Sequence, residues 1–404
     1  MHILFFDYWD KGLPVLKNSL SFFKNESVEK RSMVHLDSFF RKDFIPYQHV
    51  EGIDIYDISY FEGKNLSEII DQLKPTDILI TNLKLYERII SMIANRKKIP
   101  VYYFLHGNIG PIFAELSPRV KKIGSLFSKV SSIIRNLGLV NKYFKIYKKF
   151  YYPEYVKYNI FGTAFSRKRK FLAFLLNKVK NRFYDFEYIE FADDYFVDYC
   201  VVYSKKDVEF LNSTKVHICK YYIRGNLELV NNINEFRNKW SSKKQILIVD
   251  DGFTAYNLYG LTPDKMKSIV NQVILAFSQH PVYAVYEVVL KIKPQELTNF
   301  ESMGINCRIV RNDPIYKCIQ ESELIIGTHS TALQYAIIDH KPLLLMKWAE
   351  YATVPDVYLQ HGIGNQWTDK NQIPEIKINV EAYDKYIADY NLDGKINISV
   401  NNTW

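Results

Sequence analysis

Three short segments in the second half of the chain constrain its fold more than anything else in it: ILIVDDG (246–252), LKIKP (290–294) and ELIIGTHSTALQYAIIDHKPLLLM (323–346). Each is an apolar, partly β-branched run that stops abruptly at residues carrying charge or hydroxyls. Near-continuous apolar runs of this length are what strands buried on both faces of a parallel sheet require. The abrupt polar ends suit the carboxyl edge of such a sheet, where open α/β folds bind their ligands. The three segments therefore predict one parallel sheet and one site.

In the third segment residues 324–326 form a strand and Gly327 allows a tight turn. Thr328, His329, Ser330 and Thr331 then open a helix running to about Asp339, followed by a buried strand over 342–346. A helix start presents unpaired N–H groups and a partial positive charge, so a phosphate settles there with Ser330 or Thr331 as extra donors. The plain alternative is that one of these hydroxyls merely caps the helix. Asp250 and Asp251 close the first strand, and two adjacent carboxylates repel, which raises the pKa of one of them toward the range of a general base. Gly252 lets the backbone turn beside them, and a solvated acidic turn is the competing reading. Lys293-Pro294 ends the middle strand, 286–292, with a cation ahead of a rigid residue; a surface lysine is the bland equivalent.

This order of motifs resembles the nucleotide-binding half of bacterial CMP-sugar-dependent glycosyltransferases of the GT-B class, which include sialyltransferases, polysialyltransferases and the β-Kdo and other ulosonic-acid transferases. The resemblance spans roughly residues 244–348 in its motifs and only architecture elsewhere. It implies that Asp250 or Asp251, with Gly252, supplies the catalytic carboxylate, and that Ser330 and Thr331, with Gly327 and Thr328 before them, grip the CMP phosphate. The family's His-Pro dipeptide falls on Lys293-Pro294, a departure at a functional position, although a lysine still neutralises a leaving phosphate as a point charge. His329 is an added imidazole beside it. The implied reaction moves a ulosonic acid (Kdo, sialic or a related nonulosonic acid) from its CMP-activated donor to a bacterial surface glycan, in capsule or lipopolysaccharide O-antigen. It uses no metal and no cofactor beyond the donor. A carboxylate acting as base inverts the anomeric centre, whereas one acting as nucleophile forms an adduct and retains it. Alternatives are a CDP-polyol phosphotransferase of the teichoic-acid type and an NDP-sugar-dependent GT-B transferase or epimerase.

The 404 residues exceed what one core serves. The first half also alternates strands (3–6, 53–58, 77–81, 101–105) with helical stretches (65–73, 85–95), as βαβ units do. The expected architecture is α/β of the GT-B class, two Rossmann-like doubly wound domains with parallel sheets facing across a cleft. The first domain, 1–225, binds the acceptor and carries a basic helical insertion at about 117–185. A polar linker follows at 226–243, the donor domain occupies 244–378, and 379–404 packs back on the first domain. His106, after the strand 101–105, is an acceptor-side candidate, with a structural histidine as the alternative; Glu187 and Glu190 are weaker candidates for a second acid. Strands over 201–204 and 215–221 close the first domain.

Between Arg119 and Arg182 stand 17 Lys/Arg against one acid, Glu154, so this segment alone exceeds the chain's net charge of +9. Its cations are interleaved with Phe, Tyr and Leu, as in SRKRKFLAFLL (166–176). Helices of that composition suit an anionic membrane surface, where a transferase acting on a glycolipid acceptor belongs. A solvated insertion is the plain alternative, and no nucleic-acid motif accompanies the charge. With no run long enough to span a bilayer, no secretory leader, and four cysteines (Cys200, Cys219, Cys307, Cys318) outside metal-ligand spacing, the expectation is a cytoplasmic protein with buried, reduced thiols, peripheral to the inner face of the membrane.

Overall fold

The computed structural model describes residues 1–7, 12–24, 26–39, 42–81, 85–105, 196–213, 216–250, 252, 261–293, 299–351, 354 and 356–401. His106, the basic segment 119–182, Glu187, Glu190, Asp251 and Pro294 lie outside them. The chain divides into two compact units, one running to Leu227 and regaining the chain from Ile396, the other running from Glu228 to Lys395.

Among the described residues, unit 1 contains a nine-stranded sheet. Its strands are β1 (His2–Phe6), β2 (Lys30–His35), β3 (Tyr47–Val50), β4 (Ile53–Asp57), β5 (Asp77–Ile80), β6 (Val101–Phe104), β7 (Phe196–Val202) and β8 (His217–Ile223), joined by a returning strand, Ile398–Asn401. β1 is central, with β2, β4 and β3 on one side and β5, β6, β7, β8 and the returning strand on the other. Successive residues of β1 alternate between two cores, Leu4 and Phe6 against one face and Ile3 and Phe5 against the other. That double burial is why these strands read as unbroken apolar runs. The expected all-parallel sheet is corrected at its edges: β3 runs antiparallel to β4, and the returning strand antiparallel to β8.

Helix α1 (Leu13–Leu20) follows β1, and α2 (Leu66–Leu73) precedes β5. The latter begins at a capping box in which Asn65 accepts from the Glu68 amide while Glu68 accepts from the Asn65 amide. Helix α3 (Leu85–Arg96) leads to β6 and α4 (Lys205–Asn212) to β8. In α4 the Asp207 carboxylate accepts from both the amide and the hydroxyl of Ser204, each at 2.8 Å. Burial nevertheless outweighs these donations and raises the Asp207 carboxyl above its ordinary value of 3.8. The native state thus holds this proton where the unfolded chain has released it. Between the ordinary value and the raised one, this site adds stability as pH falls. Asp207→Asn is expected to flatten that part of the stability–pH profile in chemical denaturation, and an unchanged slope would contradict it.

Unit 2 begins within α5 (Leu227–Phe236), where a polar linker was expected. Leu229 and Ile233, four residues apart, bury on one helical face in the unit 2 core, so the segment is an amphipathic helix despite its asparagines. The sheet is wholly parallel, formed by β9 (Lys243–Val249), β10 (Glu287–Lys291), β11 (Arg308–Val310), β12 (Ser322–Gly327), β13 (Leu343–Met346) and β14 (Asn365–Trp367). Their order is β11-β10-β9-β12-β13-β14. Leu247 and Val249 face one core, Ile246 and Ile248 the other.

The final segment does not act as one piece. Its helix, Val380–Tyr390, buries Tyr383 and Tyr386 in unit 2, and only the stretch from Ile396 joins unit 1. The thiols also differ from expectation: Cys200 and Cys318 are buried, but Cys219 is exposed and Cys307 only partly covered. Among the described residues no helix is long and apolar enough to cross a membrane, and no cluster of His, Cys, Asp and Glu is arranged to hold a metal.

Candidate functional site

In unit 2 the chain starts at β9, builds outward through β10 and β11, then returns to the other side of β9 with β12, β13 and β14. The reversal lies between β9 and β12, and there the connections leaving the two carboxyl ends diverge to opposite sides and open a crevice. Ile248 of β9 is in register with Ile326 of β12. Asp250 and Thr328, each two residues further on, therefore leave adjacent strands side by side. Strand spacing of about 4.8 Å sets the scale of that juxtaposition. Two of the sequence-predicted segments meet at the switch point itself, and the third, ending in Lys293, closes β10 on the far side of β9.

Asp250 is only 3% exposed, and its amide donates to the Lys291 carbonyl at 3.0 Å, so the β9–β10 ladder continues to the base of the acidic pair. Gly252 has φ +75°, the left-handed conformation a glycine adopts without a Cβ penalty.

The β12 side is built differently from the expectation. Gly327 and Thr328 are buried, His329 and Ser330 half-buried, and Thr331 exposed. The helix α6 spans only Leu333–Ile338, so Thr328 to Thr331 form an approach turn and not a helical first turn. Its amides from Leu333 to Tyr335 bond back three residues, to the carbonyls of Ser330, Thr331 and Ala332. Ser330 Oγ accepts from the Ala332 amide at 3.3 Å, and Tyr358 donates its hydroxyl to the Ser330 carbonyl at 2.7 Å. Thr328 Oγ1 and His329 Nδ1 stand 3.3 Å apart. A Cβ on Gly327 would sit 3.0 Å from the Leu333 side chain, so the glycine lets Leu333 close down on the strand end. A helix of six residues has a small dipole, and anion binding here rests on hydroxyls and turn amides more than on the macrodipole.

Lys293 is half-buried past the end of β10. Its neighbour Lys291, passed over in the sequence, is the buried cation: Nζ donates to the carbonyls of Ile292 at 3.0 Å and Arg311 at 2.6 Å. Desolvation lowers its pKa, and its bonds go to backbone, so its role is to close the ends of β10 and β11. Sequence reasoning also missed a group beyond β13. Trp348 packs edge-on against Trp367, Glu350 binds Lys370, and the Trp348 indole N–H and one Glu350 oxygen have no hydrogen-bond partner among the described residues. The only signal for these was their place just after an apolar strand.

Unit 1 has its own switch point, between β1 and β5. Near it, at the ends of β2 and β4, lies a buried polar cluster with no sequence signature. Asp57 accepts from the amides of Ser38 and Ser59, each at 2.9 Å, and stands 3.4 Å from His35 Nδ1, with Asp37 3.7 Å from the same atom.

No family model matches the chain, and no curated protein matches it. Among solved structures it is similar to a UDP-glucosyltransferase from Polygonum tinctorium capable of glucosylating indoxyl, at 11% identity over 85% of this chain and 79% of that one, TM-score 0.42. It is also similar to UDP-GlcNAc 2-epimerases. The enzyme from Methanocaldococcus jannaschii is 11% identical over 96% of this chain and 99% of that one, TM-score 0.43. The enzyme from Neisseria meningitidis, bound to UDP-GlcNAc, is 12% identical over 96% and 92%, TM-score 0.44. The chain itself forms two doubly wound α/β units, the second with Asp250 and the Thr328–Thr331 turn at its switch point.

Proposed function

We propose that this protein is a nucleotide-sugar-dependent glycosyltransferase whose unit 2 holds the donor at the β9–β12 switch point. The observation that supports this reading is the pairing of a buried carboxylate, Asp250, with a hydroxyl-bearing turn, Thr328 to Thr331, on adjacent parallel strands where the strand order reverses. The turn hydroxyls and amides receive the donor phosphates, and Lys293 offsets the charge that develops as the sugar–phosphate bond breaks. The carboxylate serves the electron-poor anomeric carbon or the acceptor hydroxyl. A nucleoside diphosphate sugar is the donor class favoured here, because a lysine stands where CMP-sugar enzymes carry histidine and a diphosphate brings more charge for a cation to neutralise.

A second reading, transfer of a CMP-activated ulosonic acid to a surface glycan beside an anionic membrane, is supported by the Asp250-Asp251-Gly252 and Ser330-Thr331 motifs and by the basic segment 119–182.

A thermal-shift series with CMP, CDP, UDP and GDP separates the two. A nucleotide at about 100 times its dissociation constant adds about 2.7 kcal/mol of stability. A diphosphate giving the largest shift is the expected result; CMP giving the largest favours the second reading, and no shift with any of the four sinks both. In the double variant Ser330→Ala/Thr331→Val the affinity for the best nucleotide is expected to fall about 10-fold or more, the effect of one or two hydrogen bonds to a charged phosphate.

A further inference from the structure

The edge of unit 1 carries a feature the proposed chemistry does not use. Tyr47 on β3 and Tyr60, in the short 3-10 helix Ile58–Phe61 that follows β4, are 43% and 47% exposed. Their ring centroids are 5.7 Å apart, and Tyr56 lies against both, at 5.1 Å from each. The ring planes of Tyr47 and Tyr60 are inclined by only 37°, so the two present adjoining aromatic faces.

Single exposed aromatics need no explanation, but a contiguous set does. Here the set is also held in place. Asp54 Oδ1 accepts from the Tyr47 hydroxyl at 3.1 Å and lies 2.9 Å from His49 Nδ1, and Lys30 stands 3.9 Å from Asp54 Oδ2. An exposed tyrosine tied through its hydroxyl has already lost the rotamer freedom a ligand would otherwise have to remove.

Position and chemistry narrow the occupant. Tyr47 pairs with Tyr56 near the carboxyl end of β4, which is parallel to β2 and so to β1. The set therefore runs along the β3 edge, from Asp54, level with Ser32 of β2, to Tyr60 beyond the carboxyl end of β4, the end at which the β1–β5 switch point opens. β3 lies three strands from β1, about 14 Å at the usual spacing, within reach of an oligosaccharide of a few residues. A pyranose ring has one face of C–H bonds whose hydrogens carry partial positive charge, matching the negative faces of aromatic rings, and a rim of hydroxyls that donate to carboxylates. Tyr47, Tyr60 and Asp54 supply both halves of that match.

We propose that Tyr47 and Tyr60, backed by Tyr56 and Asp54, form a stacking subsite for a pyranose unit of a glycan lying along the β3 edge of unit 1. The assignment rests on unit 1 being the acceptor side of the proposed transferase. Its failure is distinguishable from failure of that reading, because sugar binding is read here without nucleotide and nucleotide binding is read without sugar.

The test is saturation-transfer difference NMR on the full chain, with methyl β-D-glucopyranoside and methyl β-D-galactopyranoside as probes and glycerol as the polyol lacking a ring. Transfer to the ring C–H protons above the glycerol level is expected. It should fall to that level in Tyr47→Ala/Tyr60→Ala and persist in Tyr47→Phe/Tyr60→Phe, which keeps the rings and removes only the hydroxyls. Circular dichroism and the nucleotide thermal shift should be alike in both variants, excluding a folding defect. Transfer no greater than that of glycerol, or equal in wild type and the alanine variant, overturns the subsite. Loss of a dimer in light scattering by the alanine variant, without any sugar effect, overturns it in favour of an edge-strand contact between copies.

Discussion

Replacing Asp250 by asparagine is expected to lower kcat for sugar transfer by about 10³-fold while leaving the nucleotide-induced thermal shift in place. Asparagine keeps the shape of the side chain and removes only its charge and its capacity to take a proton or attack carbon. Asp250 is buried at the end of β9, beside a ladder bond to Lys291, so the isosteric change leaves the strand end packed as it was. The binding turn stands on the neighbouring strand, and nucleotide affinity should therefore separate from turnover. The same measurement on Asp251→Asn identifies which member of the pair acts, a smaller effect being expected there. Intact mass measured with a slowly turned-over 2-fluoro donor then divides the two mechanisms: a covalent glycosyl adduct marks attack by the carboxylate, and its absence marks a base. Wild-type kcat in Asp250→Asn would remove the carboxylate from the mechanism.

The largest effect on stability is expected in unit 1, from Asp57→Ala. Asp57 is fully buried and satisfies two backbone amides, those of Ser38 and Ser59, besides facing His35. Alanine removes the acceptor and leaves these donors buried, and each lost charge-assisted bond costs about 1.5–3 kcal/mol. A total loss of about 3–5 kcal/mol is expected, the range for removing one partner from a buried charged network. Asp57→Asn, which keeps one acceptor oxygen, should lose about half as much. Because the two units need not unfold together, native-state hydrogen exchange of the β2 and β4 amides reads the change more directly than a global melt. Protection altered by less than about 1 kcal/mol in Asp57→Ala would show that water or neighbouring groups take over the acceptor's role.

Legibility in the sequence followed burial. β9, β10 and β12 were readable because both faces of each are covered, so their apolar runs are unbroken and their ends abrupt. β3 was not, because an edge strand buries little, and Tyr47 to Val50 alternates exposed and half-buried residues with no apolar signal. The asparagines of α5 predict a linker, yet Leu229 and Ile233, four residues apart, fold it onto a core. At the site, Asp250, Gly252 and the Thr328–Thr331 stretch were legible as strand ends. The approach turn before Leu333 was not, nor was the close contact of Leu333 with Gly327, which no local pattern specifies. The Asp57 cluster, the Trp348–Glu350 group and the Tyr47–Tyr60 faces had no signature either, because each assembles side chains whose meeting depends on strand pairing or tertiary packing.

By itself the sequence determined which segments become buried strands and which polar residues end them, because apolar periodicity and abrupt termination are local properties of a chain in water. Only the tertiary structure decided that β9 and β12 are neighbours with β10 on the far side, placing Asp250 beside the Thr328 turn. Strand order is a non-local outcome: it is selected by which arrangement covers both faces of the sheet at once, and no single segment carries that information.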